Sequence, residues 1–272
     1  MAKLGDLFDV CQGRLTLTSG TPVTTSDVTA ATTVYFCPYK GHSLALYNTL
    51  HQEWVFYEFT ERSITLSGLA ADTNFDVFIY SNAGTLTLEL VAWSTATARA
   101  TALAVQDGIY CKTGELTKRY LGTIRTTSTI GQCEDSETSR FVWNYYNRVF
   151  RALSYYLFNV HGYATNAWRY WNNDSVNRVE MVYGIQNDAI FGSVVGTVDP
   201  SADNGMGFIG IHDGTVEVAT SHAAQNQSSS PSSSAFFMPA NIGLVYFQAR
   251  ENSVSSINVS YNDITVKGAI LG

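Results

Sequence analysis

The sequence predicts a mainly β protein, with two β-sandwich domains of jelly-roll or immunoglobulin-like type joined by a short aromatic helix. Charged residues make up only 14% of the 272 residues, compared with about 25% in an ordinary soluble domain. Short alternating runs such as Thr32–Phe36 and Trp54–Phe59 are typical of strands. The strands follow one another without an alternation of strands and helices. Such a chain has few charges to keep molecules apart, so we expect it to be part of an assembly.

The charge balance excludes some classes of partner. Sixteen basic and 23 acidic residues give a net charge of −7. A nucleic-acid binder needs a basic surface, and so does a protein that binds anionic membranes. The N-terminus lacks an apolar signal-peptide core, and the apolar stretches are only strand-length. We therefore expect no nucleic acid or membrane as a partner, and synthesis in a cytoplasm.

Residues 1–12 are expected to form a short docking helix. Leu4, Leu7, Phe8 and Cys11 have the spacing of one apolar helical face. A helix this short is marginal alone, so it should dock on its own domain or on a partner.

Residues 13–125 are expected to form the N-terminal β-sandwich. Turn residues such as Gly20–Pro22 and Asn82–Gly84 separate its strands. Residues 64–80 are similar to the corner before the sixth strand of a fibronectin type III sandwich, with Phe75 where a tyrosine is usual. Residues 95–107 fit either a short helix or a loop rich in threonine and alanine.

Residues 126–150 are expected to be a linker followed by a helix. The segment 126–139 is polar, and Ser139 is a plausible N-cap. The aromatic residues that follow fit helical spacing and also strand alternation, and we favour a helix of about three turns. We expect this helix to lie at a subunit interface, where tyrosine and tryptophan are enriched. The candidate interface residues are Phe141, Trp143, Tyr145, Tyr146 and Val149.

Residues 151–272 are expected to form the C-terminal, jelly-roll-like sandwich. Strands such as Val179–Ile185 and Ile242–Ala249 are separated by turns, and Gln225–Ser234 is a serine-rich loop. Gly205–Gly210 matches the letters of a dinucleotide-binding motif. That motif must open a helix, whereas this segment reads as a strand, so we expect no cofactor here.

The sequence contains no recognisable catalytic or metal-binding constellation. The histidines lie outside any triad or nucleophile motif, and no Cys-x-x-Cys pair occurs. We expect no catalytic residue, no metal and no cofactor. The four cysteines are either buried apolar residues or disulfide partners, and three pairings are open. They are Cys11, Cys37, Cys111 and Cys133.

One aromatic and polar cluster has the composition of a sugar-binding surface. Aromatic rings stack on sugar rings, while amides and carboxylates accept or donate to the hydroxyl groups. The alternative is a set of core and interface aromatics around a polar turn. The candidate glycan-binding residues are Trp168, Tyr170, Trp171, Asn172, Asn173 and Asp174.

Several segments resemble a group of tailed-bacteriophage virion proteins. The resemblance covers about residues 13–150 and is clearest at Arg140–Val149. Phe150 departs from it, since a proline usually follows in that group. Other matching segments are Arg14–Thr24, Thr32–Gly41, Gly84–Trp93 and Tyr120–Arg125.

The resemblance implies a structural virion component, such as a homotrimeric spike, collar or decoration protein on the head, neck or tail. Its expected partners are further copies of itself, other virion proteins and a host cell-surface glycan. It would be assembled in the host cytoplasm and released by lysis. The alternatives are a glycan-adhesion module of a tail fibre and, less favoured, a depolymerase. The resemblance implies no catalytic residues.

Overall fold

The computed structural model describes residues 10–186, 189–200, 206–213, 217–223, 230–239, 241–253 and 258–272. These residues form β-strands, turns and one 3₁₀ turn at Trp171–Asn173, with no α-helix among them. The front half has the following strands: β1 (Gly13–Thr16), β2 (Val28–Ala31), β3 (Thr33–Pro38), β4 (Ser43–Asn48), β5 (Glu53–Glu58), β6 (Arg62–Thr65), β7 (Asn74–Asn82), β8 (Thr85–Ala92), β9 (Leu103–Gln106), β10 (Ile109–Lys112), β11 (Glu115–Arg125), β12 (Cys133–Asp135), β13 (Ser139–Arg140) and β14 (Val142–Asn144). The back half has these: β15 (Phe150–Leu157), β16 (His161–Tyr163), β17 (Arg169–Tyr170), β18 (Arg178–Tyr183), β19 (Ala189–Pro200), β20 (Gly207–His212), β21 (Glu217–Ala223), β22 (Ser230–Pro239), β23 (Gly243–Ser253) and β24 (Val259–Leu271).

The strands pair into several sheets, which confirms the mainly β prediction. Sheet I has the order β1-β3-β6, and sheet II has β8-β7-β11-β10-β9 with β14 beside β11. Sheet III has the order β2-β12-β13-β18-β23-β20-β21, with β17 beside β23. Sheet IV has the order β15-β24-β19-β22, with β16 beside β24, and β4 and β5 form a separate hairpin. Sheet III contains strands from both halves, because β13 pairs in parallel with β18. The boundaries of the two expected domains stay a prediction.

The predicted aromatic helix is wrong. Val142–Asn144 is strand β14, and the register places Trp143 opposite Thr123 on β11. Residues 145–149 are irregular, and Asn147 has a φ of 51°, in the left-handed region that a right-handed helix does not use. Ser139 does not cap a helix, since it pairs with Glu180 in a parallel ladder. Tertiary strand pairing overrides the local helical spacing here.

Several smaller expectations have definite outcomes. Residues 1–9, which hold most of the expected N-terminal helix, lie outside the described residues. Cys11 forms an isolated antiparallel β-bridge with Leu44. Residues 95–102 form a loop, as one alternative expected, but residues 103–106 are strand β9, which neither alternative predicted. Gly207–His212 is strand β20, as expected of the glycine-rich segment. Ser230–Ser234 belongs to strand β22 instead of a serine-rich loop, and residues 225–229 lie outside the described residues.

Two hydrophobic clusters hold the fold together. The front cluster contains side chains of β1, β3, β7 and β11, including Leu15, Phe36 and Ile124. The back cluster lies between sheets III and IV and includes Met181 and Val194. The aromatic segment joins them, because strand alternation in β14 sends Val142 and Trp143 to opposite sides. Phe141 and Val142 pack in the front cluster, and Trp143 packs in the back cluster.

Candidate functional site

The predicted glycan-binding residues do not share one surface. Trp171 is fully buried in the back cluster, with edge-to-face contacts to His161 and Tyr261. Trp168 is half-buried, and Tyr170 is exposed. The structure therefore brings two of the three predicted rings to the surface and makes the third a core residue.

The predicted polar residues mainly build a turn. Asn172 and Asn173 have φ values of 51° and 54°, the left-handed conformation that asparagine tolerates. Asp174 Oδ1 accepts a hydrogen bond from the Val176 backbone N–H at 3.0 Å. Asn173 and Asp174 are exposed beside the buried Trp171, so they remain available to a ligand.

We name the rings around Trp168 the aromatic platform, defined as Tyr163, Trp168, Tyr170 and Phe208. Tyr170 is exposed and the other three are half-buried. Trp168 contacts Phe208 edge-to-face, with ring centroids 6.3 Å apart. The Arg250 guanidinium lies 5.5 Å from the centre of the Tyr170 ring, and its Nη2 donates to the Trp168 carbonyl at 2.9 Å. Residues from three separate parts of the chain thus form one surface, and Tyr163 and Phe208 have no signal in the local sequence motif.

A buried polar network supports the aromatic platform. Glu251 is completely buried on β23, and its carboxylate accepts a hydrogen bond from Arg169 Nε at 2.5 Å. The Arg169 guanidinium in turn lies 3.8 Å from the centre of the Tyr163 ring. His161 Nε2 lies 2.5 Å from the other Glu251 oxygen. Because two cationic or polar side chains converge on one buried carboxylate, the strands that carry the rings are fixed to β23.

Burial raises the pKa of the Tyr261 hydroxyl, and the nearby Glu251 carboxylate raises it further. Tyr261 therefore stays protonated and donates to the Asn252 carbonyl at 2.6 Å. Its ring stacks on His161, with centroids 5.7 Å apart. This hydrogen bond is part of the polar network that supports the aromatic platform.

Two of the five predicted interface residues are buried, and the other three are half-buried. Phe141 and Trp143 are buried, and Tyr145 and Tyr146 are half-buried and contact each other edge-to-face at 4.8 Å. Arg119 Nε donates to the Tyr146 hydroxyl at 3.1 Å. Val149 is half-buried and pairs through its backbone with Gly272. The aromatic residues of this segment pack where the front and back clusters meet.

A different surface, on sheet IV, exposes apolar side chains. We name it the outer face, and it comprises the side chains of β15, β24 and β19 that point away from the back cluster, together with the exposed Phe158 and Val160, which follow β15. Every second residue from Phe150 to Val160 belongs to this side, and Phe150 is 79% and Phe158 is 70% exposed. The full set is Phe150, Ala152, Ser154, Tyr156, Phe158, Val160, Phe191, Ser193, Val195, Thr265, Lys267, Ala269 and Leu271.

The four cysteines are buried thiols in separate surroundings. Burial raises the pKa of Cys37 to about 12, and the neighbouring Glu61 carboxylate adds to the effect. Burial also raises the pKa of Cys111 to about 11 and that of Cys133 well above its ordinary value. Since the thiolate is the reactive form, these thiols are poor nucleophiles at neutral pH. Disulfide formation stays a prediction.

Within the parts of the chain that the structure describes, no group of three or more histidine, cysteine or acidic side chains is placed to hold a metal ion. None of the helical segments in those parts is long and apolar enough to cross a membrane.

No family model matches this sequence, and no curated protein matches it. Among solved structures, the chain is similar to the insecticidal delta-endotoxin Cry8Ea1 from Bacillus thuringiensis, with 8% identity and a TM-score of 0.25 over 96% of this chain and 52% of that one. It is also similar to a Cry1Da tryptic core variant from Bacillus thuringiensis, with 6% identity and a TM-score of 0.24 over 89% of this chain and 48% of that one. The chain spans about half the length of each. These values are too low to assign the chain to a family.

Proposed function

We propose that this protein is a structural component of a tailed-phage virion, a homotrimeric spike, collar or decoration appendage built from two β-sandwich units. The observation that carries the proposal is the outer face of sheet IV, where Phe150, Tyr156 and Phe191 are exposed. Soluble monomers rarely leave such a continuous apolar surface uncovered, and larger patches usually mark interaction sites. A low content of charged residues and the resemblance of residues 13–150 to virion proteins support the same function.

Sedimentation velocity of the purified protein tests the proposal. We expect a trimer at micromolar concentration, and we expect mass spectrometry to find the chain in purified virions. A monomer that is also absent from purified virions would overturn the proposal.

A second candidate function is adhesion to a host cell-surface glycan through the aromatic platform. The observation that favours it is the Arg250 guanidinium, which lies against the exposed Tyr170 ring and donates to the Trp168 backbone carbonyl. Rings held in place by a neighbouring cation offer rigid apolar surfaces on which a sugar ring can stack.

A glycan array tests this second function. We expect binding by the wild type, and a loss of about tenfold or more in Trp168→Ala and Tyr170→Ala, because a buried aromatic contact in an interface is commonly worth more than about 1.4 kcal/mol. The matched control is Phe56→Ala, which removes a 49% exposed ring on β5, far from the platform in sequence. Equal binding by all four proteins would contradict glycan recognition at the platform.

A further inference from the structure

We propose that the outer face of sheet IV packs against the outer faces of neighbouring copies of this chain. The inference rests on the proposed function and deepens it, because it names the surface and the partner. Of the predicted interface residues, Phe141 and Trp143 are buried within one chain and cannot contact a partner, whereas the interface role of Tyr145, Tyr146 and Val149 stays a prediction.

The exposed residues of β15 differ from those of a strand with one side in water. A sheet face in contact with water normally carries polar residues at alternate positions. Strand β8 follows this rule, with Thr85 exposed and Leu86 buried. On β15 the polarity of the two sides is reversed, because the aromatic residues Phe150 and Tyr156 are exposed while the charged Arg151 is buried. The apolar character of the outer face is therefore a local property and does not follow from the composition of the whole chain.

Arg151 explains why the phenylalanine beside it is turned outward. Its guanidinium donates to Asp135 Oδ2 at 2.9 Å and to the Thr24 carbonyl at 2.6 Å. These contacts fix the side of β15 that faces inward, and strand alternation then sends Phe150 and Ala152 outward. The exposure of Phe150 is thus built into the fold.

The size of the outer face suits a contact between protein subunits. Tyr156 is 60% and Phe191 is 59% exposed, in addition to Phe150 and Phe158. With about 150–250 Å² for each whole aromatic side chain, the four rings expose about 500 Å². Together with Val160, Val195 and the small residues between them, the face approaches the roughly 800 Å² that each partner contributes to a standard interface.

The charge of the outer face favours an identical copy as the partner. Lys267 is the single charged residue of the set, and it lies in a row between Ser154 and Ser193. An apolar face with one lysine offers no pattern of charges that would select a different protein. The outer face of an identical copy is a suitable partner, because interfaces between identical subunits are more apolar than other protein interfaces.

Lys267 is compatible with this packing because of its position. The edge strand β15 is one inter-strand spacing away, about 5 Å. The methylene chain of Lys267 can cover the small Ser154 side chain while its ammonium group reaches solvent at the rim. Packing of identical faces thus needs no acidic counterpart for Lys267.

The experiment compares the self-association of four proteins by sedimentation equilibrium: the wild type, Phe150→Ser, Phe191→Ser and the control Phe56→Ser. All three positions are exposed, so the variants should fold, which circular dichroism and thermal unfolding would verify. We expect each substitution on the outer face to weaken association by about 30-fold, the size of an interface hot spot. We expect the control to associate like the wild type.

A fifth protein, Lys267→Leu, distinguishes a copy from a partner of opposite charge. With identical copies, loss of the cation should leave association as tight as the wild type or tighter. Weaker association of Lys267→Leu would show that an acidic partner surface receives the lysine, and this would overturn the inference.

The outcomes separate this inference from the proposed function. An oligomeric wild type whose Phe150→Ser and Phe191→Ser variants stay oligomeric would overturn the inference and leave the proposed function standing. A monomeric wild type that is found in purified virions would also overturn the inference alone. A monomeric wild type that is absent from virions would overturn both. Flotation of a monomeric wild type with phosphatidylcholine vesicles would assign the outer face to lipid and overturn the inference.

Discussion

At the scale of single residues, adjacent aromatic side chains have opposite roles. Tyr170 is exposed next to Arg250, whereas Trp171 is fully buried between His161 and Tyr261. Both contribute to the same sequence motif, and composition alone does not tell them apart. The difference comes from the path of the chain, because Tyr170 ends strand β17 beside β23, whereas Trp171 begins the 3₁₀ turn that places its ring in the back cluster.

This difference gives a prediction about stability. Trp171→Ala should lower the free energy of unfolding by about 3–5 kcal/mol, because it leaves a large cavity in the back cluster. Tyr170→Ala should change it by less than about 1 kcal/mol, since the ring is at the surface. Guanidinium unfolding measures both values. Equal losses in the two variants would contradict the burial that the structure assigns to Trp171.

Glu61 gives a prediction about pH. Partial burial disfavours its ionised form, but three hydrogen bonds to the carboxylate outweigh this effect and lower the pKa of Glu61. The donors are Cys37 Sγ, the Gly20 backbone N–H and Ser19 Oγ, each 2.6 Å away. A carboxyl group whose pKa is lowered by folding stabilises the protein above its unfolded pKa of about 4.3, and this stabilisation is lost as the pH falls through the folded value.

We therefore expect Glu61→Gln to be less stable than the wild type at neutral pH, by less than about 1 kcal/mol because the site is largely accessible to solvent. The difference should shrink as the pH falls below about 4. Thermal unfolding across this pH range measures it, with the exposed Glu53→Gln as the control. A difference that stays constant down to the lowest pH would rule out this role of the carboxylate.

At the scale of elements, a side chain of strand β14 makes the hydrogen bonds that a neighbouring strand would make. Asn144 Oδ1 accepts a hydrogen bond from the Leu15 N–H at 2.6 Å, and Asn144 Nδ2 donates to the Leu15 carbonyl at 3.1 Å. The amide thus pairs with β1 as a neighbouring strand would. Gly122 permits the close approach of β14 to β11, since a Cβ there would lie 2.2 Å from the Trp143 carbonyl oxygen.

Replacement of this amide tests the connection between β1 and β14. Asn144→Ala should cost about 2–3 kcal/mol, because the buried N–H and carbonyl of Leu15 lose their partners. Asn144→Asp should cost at least as much, since a carboxylate cannot donate to the Leu15 carbonyl and its charge would be buried. Urea unfolding measures both variants. An aspartate variant as stable as the wild type would show that the donated hydrogen bond contributes nothing.

Strands were predictable from the sequence where apolar and polar residues alternate, as in β8, and where aromatic and β-branched residues follow one another, as in β5. The prediction was wrong for β14, where both sides are apolar and the helical and strand patterns coincide. The candidate glycan site was predictable only in part, because Phe208 and Arg250 reach Trp168 through sheet pairing. No local pattern records a contact between residues so far apart in the sequence.

At the scale of the whole molecule, association through an apolar face should respond to salts in a characteristic way. Sodium sulfate should strengthen self-association, because excluded salts favour the burial of apolar surface. Sodium chloride should have little effect, since the outer face carries the single charge of Lys267 and offers few ion pairs to screen. Sedimentation equilibrium in the two salts measures the difference. Dissociation by chloride would indicate an interface held by charges.

The sequence by itself determined the mainly β character, through its alternating runs, its turn residues and the low content of charged residues. Only the tertiary structure decided which aromatic residues are core and which are surface. Alternation fixes that neighbouring side chains point to opposite sides, but the inward side depends on partners distant in the sequence. Arg151, held by Asp135 and Thr24, is one such case, and it determines that Phe150 faces outward. A sequence pattern is local, whereas burial depends on the whole set of paired strands.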